Sequence, residues 1–136
     1  MTELITGGCL CGRIRYEMKS QPRLQLACHC VSCRKYSGSA FSMSALVPCE
    51  EIEITGMPKV YADRGDSGNE IKRAFCPDCC SSLYFEVAAR PDALALNAGS
   101  LDDASWFKPR VNVWTDRALP WVAIDPECKN FPQEAG

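Results

Sequence analysis

The chain has 136 residues, 46% hydrophobic and 24% charged, and 17 acidic against 15 basic side chains leave a net charge of −2. That length suits one domain with its own core, and the composition excludes wholesale disorder. The mild acidity excludes nucleic acid as the main partner. No apolar run approaches the ~18 residues of a membrane-spanning helix. The opening Met-Thr-Glu-Leu-Ile-Thr-Gly-Gly has neither a basic stretch nor a hydrophobic segment, so the expected location is cytoplasmic.

Alternation at period two is the commonest pattern along the chain. Ile14, Tyr16 and Met18 alternate with Arg13, Arg15 and Glu17, as in a strand with one buried face. Val31 to Tyr36 has room for one or two helical turns. Phe41, Met43, Ala45 and Val47 predict a second inward-facing strand. Short β-type runs follow at Ile52 and Ile54, at Ile71, Ala74 and Phe75, and from Leu83 to Val87. Leu94 with Leu96, Val111 with Val113, and Trp121 to Ile124 complete the series. Gly and Pro punctuate these runs, and no twelve-residue window carries a 3.6-residue stripe. Many short strands predict a mostly antiparallel all-β domain over residues 1–136, with little helix. The polar tail from Asn130 to Gly136 is expected to fray.

Ten cysteines are unusual for a chain of this length, at positions 9, 11, 28, 30, 33, 49, 76, 79, 80 and 128. In a reducing compartment they read as metal ligands or catalytic thiols rather than disulfides. Cys9-Leu10-Cys11 is a CxC behind two glycines, and Cys76-Pro77-Asp78-Cys79 is a CxxC on a Pro-containing turn. Together they can give tetrahedral zinc its four thiolates and staple two ends of a sheet. Free buried thiols are the bland alternative, and a redox dithiol lacks the expected βαβ setting.

Cys28, Cys30 and Cys33 fall within six residues, so one tight loop can bring all three to one ion. Three protein ligands leave the open position of a catalytic zinc site. The competing reading closes the site with His29, Cys49, Cys80 or Cys128. His29, the only histidine, stands between two presumed ligands, where it either transfers protons and hydrogen-bonds or merely packs. Arg34 and Lys35 follow at once and either hold an anionic ligand or lie solvated. Cys49 and Cys128 have no cysteine neighbours and read as ordinary thiols.

Gly7 to Gly12 with the Ile14-Arg15-Tyr16 strand, Cys28 to Lys35, and Phe75 to Cys79 together resemble the glutathione-dependent formaldehyde-activating family, which also takes in centromere protein V. Gly99 to Asp103 and the Trp121 stretch are similar too, so the resemblance covers about residues 3–125 and leaves 126–136 as a tail. It implies a twisted all-β fold, the β-tent, with two zinc ions per chain. Cys9, Cys11, Cys76 and Cys79 match the structural site, and Cys28, Cys30 and Cys33 the catalytic one. The implied activity is that of a carbon–sulfur lyase acting as S-(hydroxymethyl)glutathione synthase, which adds glutathione to formaldehyde. One departure stands out: members usually have Gly after the CxxC, where this chain has Cys80. Gly suits left-handed backbone, so Cys80 is expected to strain the turn or to offer an extra thiolate.

The partner expected on this reading is a small thiol such as glutathione, with a homodimer as the assembly and neither nucleic acid nor membrane. Loops at Ala62 to Asn69 and Ser37 to Phe41 are expected to line the pocket. The alternative is a non-catalytic zinc module that binds glutathione or a protein.

Overall fold

A computed structural model describes residues 4–22, 24–65 and 68–134. The fold is all-β, with two sheets and a single α-helix among the described residues. β1 (Ile5–Gly8), β2 (Arg15–Met18) and β5 (Ile52–Thr55) form a small antiparallel sheet in the order β1-β2-β5.

The large sheet takes β3 (Gln25–Cys28), β4 (Ser42–Pro48), β6 (Lys59–Arg64), β7 (Glu70–Phe75), β8 (Ser82–Val87), β9 (Ala93–Asn97), β10 (Val111–Val113) and β11 (Lys129–Asn130). Their order is β11-β10-β3-β4-β9-β8-β7-β6. All neighbours are antiparallel except β3 with β10 and β10 with β11. The helix α1 (Val31–Ser37) fills the connection from β3 to β4.

The large sheet is buried on both faces at its centre, and β9 shows why. Leu94 and Leu96 join Tyr16, Met18 and Val47 in the cluster beneath the small sheet. Ala95, between them, falls on the opposite face with Cys28, Cys30, Cys33, Ile71 and Phe85, because successive strand residues alternate sides. Burying one large apolar side chain such as Met18 or Leu96 is worth roughly 1.5–3 kcal/mol. The three cysteines of residues 28–33 therefore lie behind the large sheet, away from the small one. At Gly7 the small sheet meets the turn after β9 so closely that a Cβ would stand 2.5 Å from the Ser100 carbonyl, which only glycine avoids.

Three expectations change. In β4 the buried side chains at the start are Ser42 and Ser44, while Met43 faces outward, so the inward register runs opposite to the apolar alternation there. Trp121 to Ile124 forms no strand: Pro120 and Pro126 bracket it, and Trp121 is 73% exposed. The tail does not fray over its described part. Lys129–Asn130 pairs with β10, Asn112 accepts from the Phe131 N–H at 2.9 Å, and Gln133 accepts from the Trp114 N–H at 2.9 Å. Backbone pairing fixes a segment that composition alone marks as loose.

Candidate metal centres

The β1–β2 connection carries Cys9 and Cys11, and the β7–β8 turn carries Cys76 and Cys79. Their four sulfurs lie within 4.8 Å of one another. Cys9 to Cys11 is 3.5 Å and Cys11 to Cys76 is 3.8 Å. A tetrahedron with zinc–sulfur bonds of about 2.3 Å has edges of about 3.8 Å, so the donor set fits zinc.

Local backbone bonds build both turns. Cys9 N–H donates to Ile14 O at 3.0 Å, Cys76 N–H to Ser81 O at 3.0 Å, and Cys80 N–H to Cys76 O at 2.8 Å. Ile14 N–H also donates to Cys9 Sγ at 3.3 Å. Ser81 bridges the turns: its Oγ accepts from Leu10 N–H at 3.0 Å and stands 3.2 Å from Cys79 Sγ. That hydroxyl, followed by backbone N–H groups, draws the Cys79 thiol down to about 5. Cys80 takes the left-handed backbone expected of glycine there, at φ 65°, and its exposed side chain joins neither cysteine group.

The second group is Cys28 at the end of β3, Cys30 at the N-cap of α1 and Cys33 in its first turn. All three are buried, with their sulfurs within 4.8 Å of one another. Cys30 caps the helix with its sulfur, which accepts from Cys33 N–H at 3.3 Å. Gly38, left-handed at φ 66°, ends the helix one turn later and returns the chain to β4. No histidine or carboxylate completes a fourth position within the same radius among the described residues.

One buried cation faces these sulfurs. Arg73 of β7 is 2% exposed, and its Nη1 lies 4.0 Å from Cys33 Sγ. Its Nε donates to Asp63 Oδ2 at 3.0 Å, and its guanidinium lies over the Tyr36 and Phe85 rings, at 4.9 and 5.3 Å from their centres. Hydrogen bonds from Cys28 and Cys30 hold the Cys33 thiol far below its ordinary value, helped by the Ser42 hydroxyl and the Arg73 charge. Cys28 is pushed up by the same sharing with Cys30 and Cys33 and by burial. Three thiolates around a divalent cation would carry a net −1, and Arg73, shared between Cys33 and Asp63, places positive charge against that group.

A cavity of about 210 Å³ opens against the three sulfurs. Leu26, Leu46, Ile71, Phe85, Val113 and Trp114 supply most of its wall. Ser44 is among the lining residues, and Arg90 and Glu134, both exposed, stand at its rim. Trp114 is left-handed at φ 58°, a conformation that costs a non-glycine residue energy and that recurs at functional sites.

The remaining candidates lie elsewhere. His29 Nε2 donates to Asn112 Oδ1 at 3.0 Å and the ring packs on Phe41, centroids 5.0 Å apart. The ring is outside the cavity lining and ties β3 to β10. Arg34 and Lys35 do not line the cavity either. Each helical residue turns about 100° from the last, so they leave the face that Cys33 occupies. Lys35 instead borders a broad cleft beside the four-cysteine turns, together with Ser37 to Phe41. From the Ala62 to Asn69 loop, Gly65 and Asn69 do reach the cavity; Asp66 and Ser67 lie outside the described residues. Cys49 and Cys128 stand apart from both groups. Arg73, Ser44 and Trp114 escaped the sequence reading. Only Arg73 left a signal: it alternates in step with Ile71 on β7, which puts a cation on a buried face.

No helix among the described residues is long and apolar enough to cross a membrane. A family profile described as glutathione-dependent formaldehyde-activating enzyme matches residues 4–117. A Schizosaccharomyces pombe protein named as an uncharacterized lyase is 32% identical over 132 residues, covering 92% of this chain and 83% of its own. A crystal structure of a Rhodobacter sphaeroides protein superposes with a TM-score of 0.56 at 18% identity, over 77% of this chain and 92% of the other. That last likeness speaks for the fold alone.

Proposed function

The chain belongs to the glutathione-dependent formaldehyde-activating enzyme family, and on that premise we propose that it is a zinc-dependent carbon–sulfur lyase. In this reading it joins the thiol of glutathione to formaldehyde or a related electrophile, giving S-(hydroxymethyl)glutathione in the first case. The observation that carries the reading is the cavity ending on Cys28, Cys30 and Cys33 with Arg73 behind them. Zinc held by these three side chains supplies a Lewis acid with one open position, which lowers the pKa of an incoming thiol.

The protein's own groups do the rest. Cys28, Cys30 and Cys33 would hold the ion through three thiolates, whose charge would leave a bound sulfur electron-rich. Arg73 offsets the net charge without occupying the open side. The apolar wall offers water few hydrogen-bond partners and lowers the local dielectric, which strengthens each charge interaction at the sulfurs. In the addition, a sulfur lone pair forms the C–S bond, the carbonyl π pair moves to oxygen, and the thiol proton ends on that oxygen. Cys9, Cys11, Cys76 and Cys79 form a closed site, proposed as a structural zinc that fastens the small sheet to the β7–β8 turn.

The test is the initial rate of glutathione addition to formaldehyde on zinc-loaded protein, corrected for the spontaneous reaction. We expect a thiol-dependent excess that disappears in Cys30→Ala and Cys33→Ala. Zinc and glutathione binding with no excess rate would instead identify a binding module.

A further inference from the structure

We propose that the electrophile taken at the three-cysteine centre is an apolar aldehyde whose hydrocarbon group, about five or six carbons, lies against the cavity wall beside the incoming thiol. The inference rests on the lyase reading above and narrows its substrate. The cavity measures about 210 Å³, and an apolar cavity of about 150 Å³ already holds benzene. Formaldehyde, with one carbon and no side chain, would leave nearly all of this wall uncovered.

The wall is selective in kind as well as size. Around the sulfurs stand Leu46, Ile71, Phe85, Ala95 and Val113, none of which can pair with a charge. Glutathione carries two carboxylates and an ammonium, and the charged side chains lining the cavity are Arg90 and Glu134 at the exposed rim. The charged thiol therefore belongs at the rim with its sulfur reaching inward, and the hydrocarbon belongs in the interior. A polar substrate chain placed there would lose its hydration without replacement.

A second observation locates the carbonyl. Ser44 lines this cavity, is 1% exposed, and its Oγ is buried without a hydrogen-bond partner. Buried hydroxyls are normally partnered, so an unpartnered one among the residues that line an apolar cavity offers a place for a ligand oxygen. Ser44 Oγ–H donates to the aldehyde oxygen and holds it as negative charge develops. The reaction balances as an addition: R–CHO and R′S–H give R–CH(OH)–SR′, with one C–S bond formed and the thiol proton transferred to oxygen.

The experiment uses the zinc-loaded full chain with glutathione and compares formaldehyde, hexanal and cyclohexanecarbaldehyde by initial rate. In parallel, binding of the unreactive probe hexan-1-ol is followed by tryptophan fluorescence. The expected result is a kcat/KM at least tenfold higher for the six- and seven-carbon aldehydes than for formaldehyde, together with saturable hexan-1-ol binding. Ala95→Leu, which fills the cavity from β9, is expected to lower both at least tenfold. Val87→Phe, at the half-buried edge of the cavity, serves if that variant does not fold. Ser44→Ala is expected to lower kcat for hexanal at least tenfold. Preference for formaldehyde with no saturable hexan-1-ol binding would overturn the inference and leave the lyase reading standing. No thiol-dependent rate with any aldehyde would overturn both, and hexan-1-ol binding would then still report the cavity by itself.

Discussion

Arg73 decides how the three-cysteine centre holds charge. Its guanidinium is buried against Cys33, two aromatic rings and Asp63, so it places positive charge behind the thiolates while the cavity side stays open. Replacing it with the uncharged, similarly long Met is expected to weaken zinc at this centre by about 10–100-fold, the usual cost of losing a supporting group. Competition with a chelator measures it, and the four-cysteine site should be unaffected. Equal weakening at both sites would mean that Arg73 only supports the fold. Cys80 allows the opposite kind of prediction, a gain. It holds a left-handed backbone at φ 65° with its side chain in solvent, so Cys80→Gly should stabilise by about 1 kcal/mol. Calorimetry should then show a Tm raised by a few degrees with zinc content unchanged; a lost zinc would make Cys80 a ligand. The two cysteine groups were legible because close spacing along the chain already brings thiols together. Arg73 was legible only in its step with Ile71; its partners, Asp63 on β6 and Cys33 on α1, are set by the fold. Of the roles left open for His29, the structure shows hydrogen bonding to Asn112 and packing on Phe41, outside the cavity lining.

At the scale of elements, two loops carry the junction between the sheets. Cys9 and Cys11 face Cys76 and Cys79 across it, and Arg15 and Thr6 fasten β2 and β1 to Asp102 in the loop after β9. The Arg15 guanidinium, then the Thr6 hydroxyl, hold the Asp102 carboxyl below its ordinary range. A depressed folded-state pKa contributes stability above the unfolded value of about 3.9 and loses it as pH falls through the folded one. Both partners are about half exposed, so the effect is small. As pH falls below about 5 the Tm difference between the wild type and Asp102→Asn should shrink; a constant difference would refute the assignment. A larger loss is expected from removing the staple: Cys79→Ser should release the structural zinc and lower the Tm by well over the few degrees of a surface change, since structural zinc contributes folding energy directly. Element by element, the strands with one apolar face, such as β2 and β5, were legible from alternation. β6 was not, because Lys59–Arg64 is an edge strand whose exposed side chains carry no buried pattern. The parallel β3–β10 pair joins residues more than eighty positions apart and leaves no local signature. Trp121 to Ile124 has the alternation but no partner, and the tail has a partner but no alternation.

Across the whole molecule, the large sheet separates two jobs. One face packs against the small sheet through Tyr16, Met18, Leu94 and Leu96, and the four-cysteine staple closes that junction. The other face carries Cys28, Cys30, Cys33 and the apolar cavity, so the three-cysteine group sits away from the four-cysteine group while sharing the sheet that positions it. The account therefore turns on one closed and one open metal site in the same chain. Elemental analysis of protein purified anaerobically without chelators tests this most directly. It should find two zinc ions per chain, falling to one in Cys33→Ala with the fold retained. A single zinc in the wild type, unchanged in Cys33→Ala, would leave Cys28, Cys30 and Cys33 without metal and contradict the proposed chemistry.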